Sequence, residues 1–117
     1  MNALQGLAAI GFDCTGDPAA LARWWQGLLG GEVEVDDEGA TLRVPGWPNL
    51  DFFRVPEPKT VKNRLHLDIR ATDYDAAVAA ALAHGATRAD DVYEGDRWQV
   101  LRDPEGNEFC ILRPRPD

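Results

Sequence analysis

Basic residues are in deficit in this chain: 12 Lys and Arg stand against 20 Asp and Glu, for a formal net charge of −8. That balance argues against a nucleic-acid backbone or an anionic membrane as partner, since both would repel it. Cysteine is scarce too. Cys14 and Cys110 are too few for a disulfide framework and suit a reducing compartment. No apolar run approaches the roughly 18 residues a membrane helix needs. The opening MNALQGLAAIGFD has no basic flank and is too short and polar for an export core, so a cytoplasmic location is expected. Core material is plentiful: 44% hydrophobic residues, with four Trp and four Phe, exclude disorder.

At 117 residues the chain is expected to form one domain, residues 1–117, and it says the same thing twice. Module one (8–56) reads strand, helix and three short strands. After a connector (57–63) with Pro58 in it, module two (64–114) repeats that order. The Asp13–Asp68 spacing equals the Gly30–Gly85 spacing, and Asn49–Asn107 equals Pro56–Pro114. Asp17-Pro18 caps a first helix whose Leu21, Trp24, Trp25, Leu28 and Leu29 fall at helical spacing, and Gly30-Gly31 stops it. Thr72 with Asp75 reads as a capping box for an Ala-rich second helix reaching His84. Strands are expected over 8–14, 32–36, 40–44, 49–55, 64–70, 87–93, 98–101 and 108–113. The βαβββ–βαβββ order makes the fold α+β with mostly antiparallel sheets. Modules of this size are marginal alone, so they should pack on each other or on a second subunit.

Alternation along a strand sorts side chains into two faces. Leu65, Leu67 and Ile69 should face the helix, leaving Arg64, His66, Asp68 and Arg70 opposite. By the same rule Asp13 lies opposite the helix in the first strand, and Glu108, Cys110 and Leu112 in the last. In the fourth strand Phe53 and Val55 are assigned to the helix side, with Leu50, Phe52 and Arg54 opposite. Charged groups mixed with Phe, Leu and Cys suit a cleft for a small molecule better than a plain solvated face.

Three stretches, DPAALARWWQGLLGGEV, VPEPKTVKNRLHLD and DPEGNEFCILRP, make the chain resemble the glyoxalase-like branch of the vicinal oxygen chelate superfamily. That superfamily includes glyoxalase I, the bleomycin-resistance proteins and the extradiol dioxygenases. The resemblance covers roughly residues 8–114. It implies two modules, each curling a sheet into half of a cupped cleft, and commonly a homodimer. Metal-dependent members take ligands from the first and last strands of each module. Those positions fall here on Gly11 (or its neighbour Ile10), Phe52, His66 and Cys110. Only His66 is typical; Cys110 stands where Glu is expected, and Gly11 and Phe52 have no donor. A catalytic metal needs three protein ligands. Asp13, Asp68 and Glu108 could raise the count, but each lies two residues, about 7 Å, along its strand. No cofactor is therefore expected, and a divalent metal on His66 and Cys110 is the less favoured alternative.

His66 is either a general acid or base tuned by a carboxylate, or an inherited ligand position hydrogen-bonded to Asp68. Cys110 beside it is read as a packing residue before a nucleophile. Arg54 and Arg64 are candidate anion clamps or simply solvated. Trp47 and Trp98 are candidate stacking walls for a planar ligand, or fill the ends of the sheets. With Asp13, Phe52, Asp68 and Glu108, these residues make up the expected ligand site. The acidic turns Asp36–Glu38 and Asp90–Asp91 are read as solvated, and His84 as a helix-end residue without function. The function expected is metal-independent binding of a small organic ligand, in the manner of bleomycin-resistance proteins. The alternative is a lyase or isomerase using His66 as acid/base or as ligand of a non-standard metal.

Overall fold

The computed structural model describes residues 3–116, so Met1, Asn2 and Asp117, the outermost residues of the expected domain, lie outside the described residues. The chain parts between Pro58 and Lys59, inside the connector, into two compact units. The first carries β1 (Ala9–Cys14), α1 (Pro18–Leu29), β2 (Glu32–Val35), β3 (Gly39–Arg43) and β4 (Asn49–Arg54). The second carries β5 (Leu67–Arg70), α2 (Tyr74–Ala83), β6 (Thr87–Arg88), β7 (Trp98–Arg102) and β8 (Glu108–Leu112). Each unit forms a four-stranded mixed sheet of the same order, β1-β4-β3-β2 and β5-β8-β7-β6. In each, the first strand runs parallel to the last, and the remaining pairs are antiparallel. The fold is α+β, and the βαβββ repeat is present in both units.

Local chemistry sets the first unit. Asp17 accepts the Ala19 N–H at 3.0 Å, Pro18 opens α1, and Gly30, at φ 75°, ends it. Asp36 Oδ1 accepts the N–H groups of Glu38 and Gly39, closing the β2–β3 turn. α1 buries Leu21, Ala22 and Trp25. The rings of Phe12 and Trp25 meet edge-on at 5.4 Å, and Phe52 lies 4.9 Å from Phe12. Trp24 is only half-buried, edge-on to Trp25.

That packing corrects the face assignment of β4. Leu50 and Phe52 are fully buried on the helix side, whereas Phe53 is 39% exposed. In the parallel pairings Asp13 lies opposite Phe53, as Asp68 lies opposite Cys110. The counterpart of Cys110 is therefore Phe53 and not Phe52. Aligning the modules on Asn49 and Asn107 is one residue out, and a one-residue slip turns every side chain to the other face. Phe52 is a core residue.

The second unit departs from expectation at three ends. β5 starts at Leu67 and not at residue 64, and Leu65, expected to face the helix, is 90% exposed. Asn63 donates its N–H to the Glu108 carboxylate at 2.6 Å, so the chain arrives at β5 tied to a side chain instead of a neighbouring strand. α2 is capped by Asp73, which accepts the Ala76 N–H at 3.1 Å, and not by a Thr72–Asp75 box. β6 ends at Arg88, after which Ala89 starts a turn that accepts from Val92 and Tyr93.

Candidate functional site

A cavity of about 390 Å³ opens on the face of the second sheet away from α2. Its apolar wall is Val92, Tyr93, Trp98, Val100 and Leu112, and its polar pole is Lys62, His66, Asp68, Glu108 and Cys110. Alternation explains the selection: Phe109 and Ile111 of β8 are buried toward the core, which leaves Glu108, Cys110 and Leu112 for the cavity. Tyr93 and Trp98 are stacked at 4.2 Å with planes 14° apart.

At the polar pole His66 Nδ1 lies 2.7 Å from Asp68 Oδ1 and 4.0 Å from Cys110 Sγ. The hydrogen bond to Asp68, one of the two readings of His66, is present. His66 stands just before β5 begins, and its ring leans along the strand onto the carboxylate. Burial is the main reason the Cys110 thiol is pushed up to about 11. The charge of Asp68 and a hydrogen bond to it add to the rise, and Lys62 opposes it. The thiol is thus protonated at neutral pH, and the nucleophile reading of Cys110 loses its thiolate.

The donor atoms of His66, Asp68 and Cys110 all lie within 4.8 Å of one another. Ligands on one tetrahedral zinc-sized ion stand roughly 3.3–3.6 Å apart. Here one pair is at 2.7 Å, the separation of a shared proton, and another at 4.0 Å. The trio is joined as a hydrogen-bonded cluster whose spacings differ from those around a bound ion, while its three donor groups remain candidate ligands. In the first unit the positions matching His66 and Cys110 hold Gly11 and Phe53, neither of which offers a donor, and only Asp13, matching Asp68, does.

Glu108 is 3% exposed and its carboxylate is already held. Lys59 donates to it at 2.7 Å, Asn63 N–H at 2.6 Å and Arg102 at 3.1 Å. Burial alone would raise its pKa, but the Lys59, Asn63 and Arg102 hydrogen bonds outweigh that and hold it below the usual range. Glu108 borders the cavity as a clamp on the connector, not as a free contact for a ligand. Asp91, expected to be merely solvated, takes both arms of the Arg102 guanidinium, at 2.8 and 2.9 Å.

Of the expected ligand residues, His66, Asp68, Trp98, Glu108 and Cys110 come together on this cavity. The others stand apart from its lining. Asp13 is exposed on β1, and Trp47 is half-buried in the turn before β4. Arg54 ends β4 with its Nε donating to the Gly16 carbonyl at 3.0 Å, and Arg64 is exposed ahead of β5. Lys62, Val92 and Tyr93 line the cavity without having been anticipated. Tyr93 and Trp98 flank one short acidic turn, and an aromatic at each end of a turn is the signal that reveals such a stack. Lys62 sits in a connector with no periodicity, so nothing local marks it.

The sequence model of the glyoxalase-like domain matches residues 9–112, and the chain belongs to that family, within the vicinal oxygen chelate superfamily. No curated protein matches it. Among solved structures it resembles a glyoxalase/bleomycin resistance protein/dioxygenase family enzyme from Burkholderia phytofirmans PsJN. The TM-score is 0.75 at 22% identity, over 95% of this chain and 100% of that one. It also resembles TnmS3, an antibiotic binding protein from Streptomyces sp. CB03234, with TM-score 0.69 at 17% identity, over 98% and 100% of the two chains. The fosfomycin resistance protein FosX from Mesorhizobium loti gives TM-score 0.71 at 13% identity, over 93% and 91%. These likenesses establish the shared fold. Among the described residues no helix is long and apolar enough to cross a membrane.

Proposed function

We propose that this chain is a metal-independent binding protein for a small organic molecule, held in the cavity of the second unit. One observation carries the reading: a space of about 390 Å³ has an aromatic stack on one wall and a hydrogen-bonding pole on the other. That volume lies within the roughly 300–1,000 Å³ of ordinary ligand pockets, and apolar walls with a few polar groups are their usual lining. Tyr93 and Trp98 supply contact area, while His66, Asp68 and Lys62 orient the ligand. Antibiotic binding by TnmS3 supports ligand capture as a use of this fold. The spacings within the His66 cluster support the absence of a resident metal. We read the protein as a cytoplasmic homodimer of one glyoxalase-like domain per chain. Sedimentation at micromolar concentration tests the dimer.

The second reading is a lyase or isomerase, favoured by the 2.7 Å His66–Asp68 pair, which orients an imidazole for proton transfer. Elemental analysis of protein purified without chelators, with a thermal-shift screen of aromatic compounds, separates the two. Binding predicts substoichiometric metal and melting temperatures raised by ligands that are recovered unchanged. Stoichiometric zinc, nickel, iron or manganese lost on His66→Ala, or turnover abolished by that change, would overturn the binding reading.

A further inference from the structure

Resting on the binding reading above, we propose that the ligand of this cavity is a planar aromatic acid, its ring against the Tyr93–Trp98 pair and its ionised group on Lys62. The shape requirement comes from the stack. Two rings 4.2 Å apart and nearly parallel present flat surfaces and a shared edge, which a second flat system matches by offset stacking. Val92, Val100 and Leu112 continue that wall without a polar atom in their side chains.

The charge requirement comes from how the other ions are spent. Glu108 is held by Lys59 and Arg102, and Arg102 is further committed to Asp91. Asp68 accepts from His66. Lys62 differs. Its ammonium donates to the Asn63 carbonyl at 3.0 Å, and among the described residues it forms no ion pair with a carboxylate. Its charge is felt at the Cys110 thiol, so it acts on the polar pole and not only on solvent. A carboxylate or phenolate would supply the missing counter-charge with a charge-assisted hydrogen bond. In a chain of net charge −8 an anion is otherwise repelled, so recognition has to be local to this lysine.

The test uses three probes of one shape on the full chain: 2-naphthoate, 2-naphthamide and 2-naphthylmethylammonium, titrated by calorimetry and by the Trp98 indole N–H resonance, assigned with Trp98→Phe. Naphthoate is expected to bind about tenfold tighter than the amide, the worth of one charged hydrogen bond. Lys62→Met should bring the naphthoate-to-amide affinity ratio down to about one, and Lys62→Arg should keep it near ten. Lys62 is exposed, so both variants should fold. Equal or tighter binding of the amide or the ammonium probe, or an anion preference that survives Lys62→Met, overturns the acid and leaves the cavity reading standing. Failure of all three probes to move the Trp98 resonance at millimolar concentration overturns both.

Discussion

Cys110 stands against a ring nitrogen and a carboxylate, the company of a reactive thiol, yet its surroundings keep the proton on sulfur. Burial disfavours the thiolate, and the negative Asp68 opposite it on β5 disfavours it further. With a pKa of about 11, about one thiol in ten thousand is ionised at pH 7. Peptide-resolved alkylation with iodoacetamide should therefore keep accelerating at Cys110, about tenfold per pH unit, and level off only as pH passes about 11. Asp68→Asn, which removes a charge that raises the pKa, should move that profile to lower pH. A Cys110 profile centred near the ordinary thiol value of about 8.5 would show the thiol to be solvated. His66 was legible as the residue that sets the second module apart from the first. Its bond to Asp68 was open in the sequence as one of two readings, because strand spacing is a backbone measure and ignores how far an imidazole leans.

The two phenylalanines of β4 test the register of the first sheet. Phe52 packs on Phe12 beneath α1, and its neighbour Phe53 points to the other face. Phe52→Ala should cost about 3–5 kcal/mol, the transfer and cavity cost of a buried ring. Phe53→Ala should cost under about 1 kcal/mol, because that ring is already in partial contact with water. Urea titrations of both variants read the difference directly, and a reversed order would restore the assignment of Phe53 to the helix side. Order and type of the elements were readable because hydrophobic period and caps are local. The phase of β4 was not. Which face a strand residue takes depends on its register with a strand far away in sequence, and only pairing with β1 resolves it.

Acid stability of the protein as a whole should depend on Glu108. Its carboxylate ties Lys59 and Asn63, from the segment before β5, to Arg102 of β7. The folded-state pKa is depressed, so the stabilisation is fully present above the unfolded value of about 4.3 and is lost as pH falls through the lower folded value. Denaturation midpoints should thus fall below about pH 4, and Glu108→Gln should flatten that fall. At neutral pH, Glu108→Ala should cost about 1–3 kcal/mol, as expected when two partly exposed cations lose a buried hydrogen-bonding partner while Arg102 keeps Asp91. An unchanged neutral midpoint in the alanine variant would mean the cations find water instead.

Duplication, the α+β pattern, both helices and the presence of one distinctive histidine could be read from residue order alone, because each is written in spacing along a few turns or strands. The composition of the cavity could not. Lys62 comes from a connector without periodicity, Tyr93 from a turn expected to be strand, and Glu108 changes from candidate contact to structural clamp once three donors converge on it. Those outcomes depend on which segments meet across gaps of many residues, and no pattern within one segment encodes its distant neighbours.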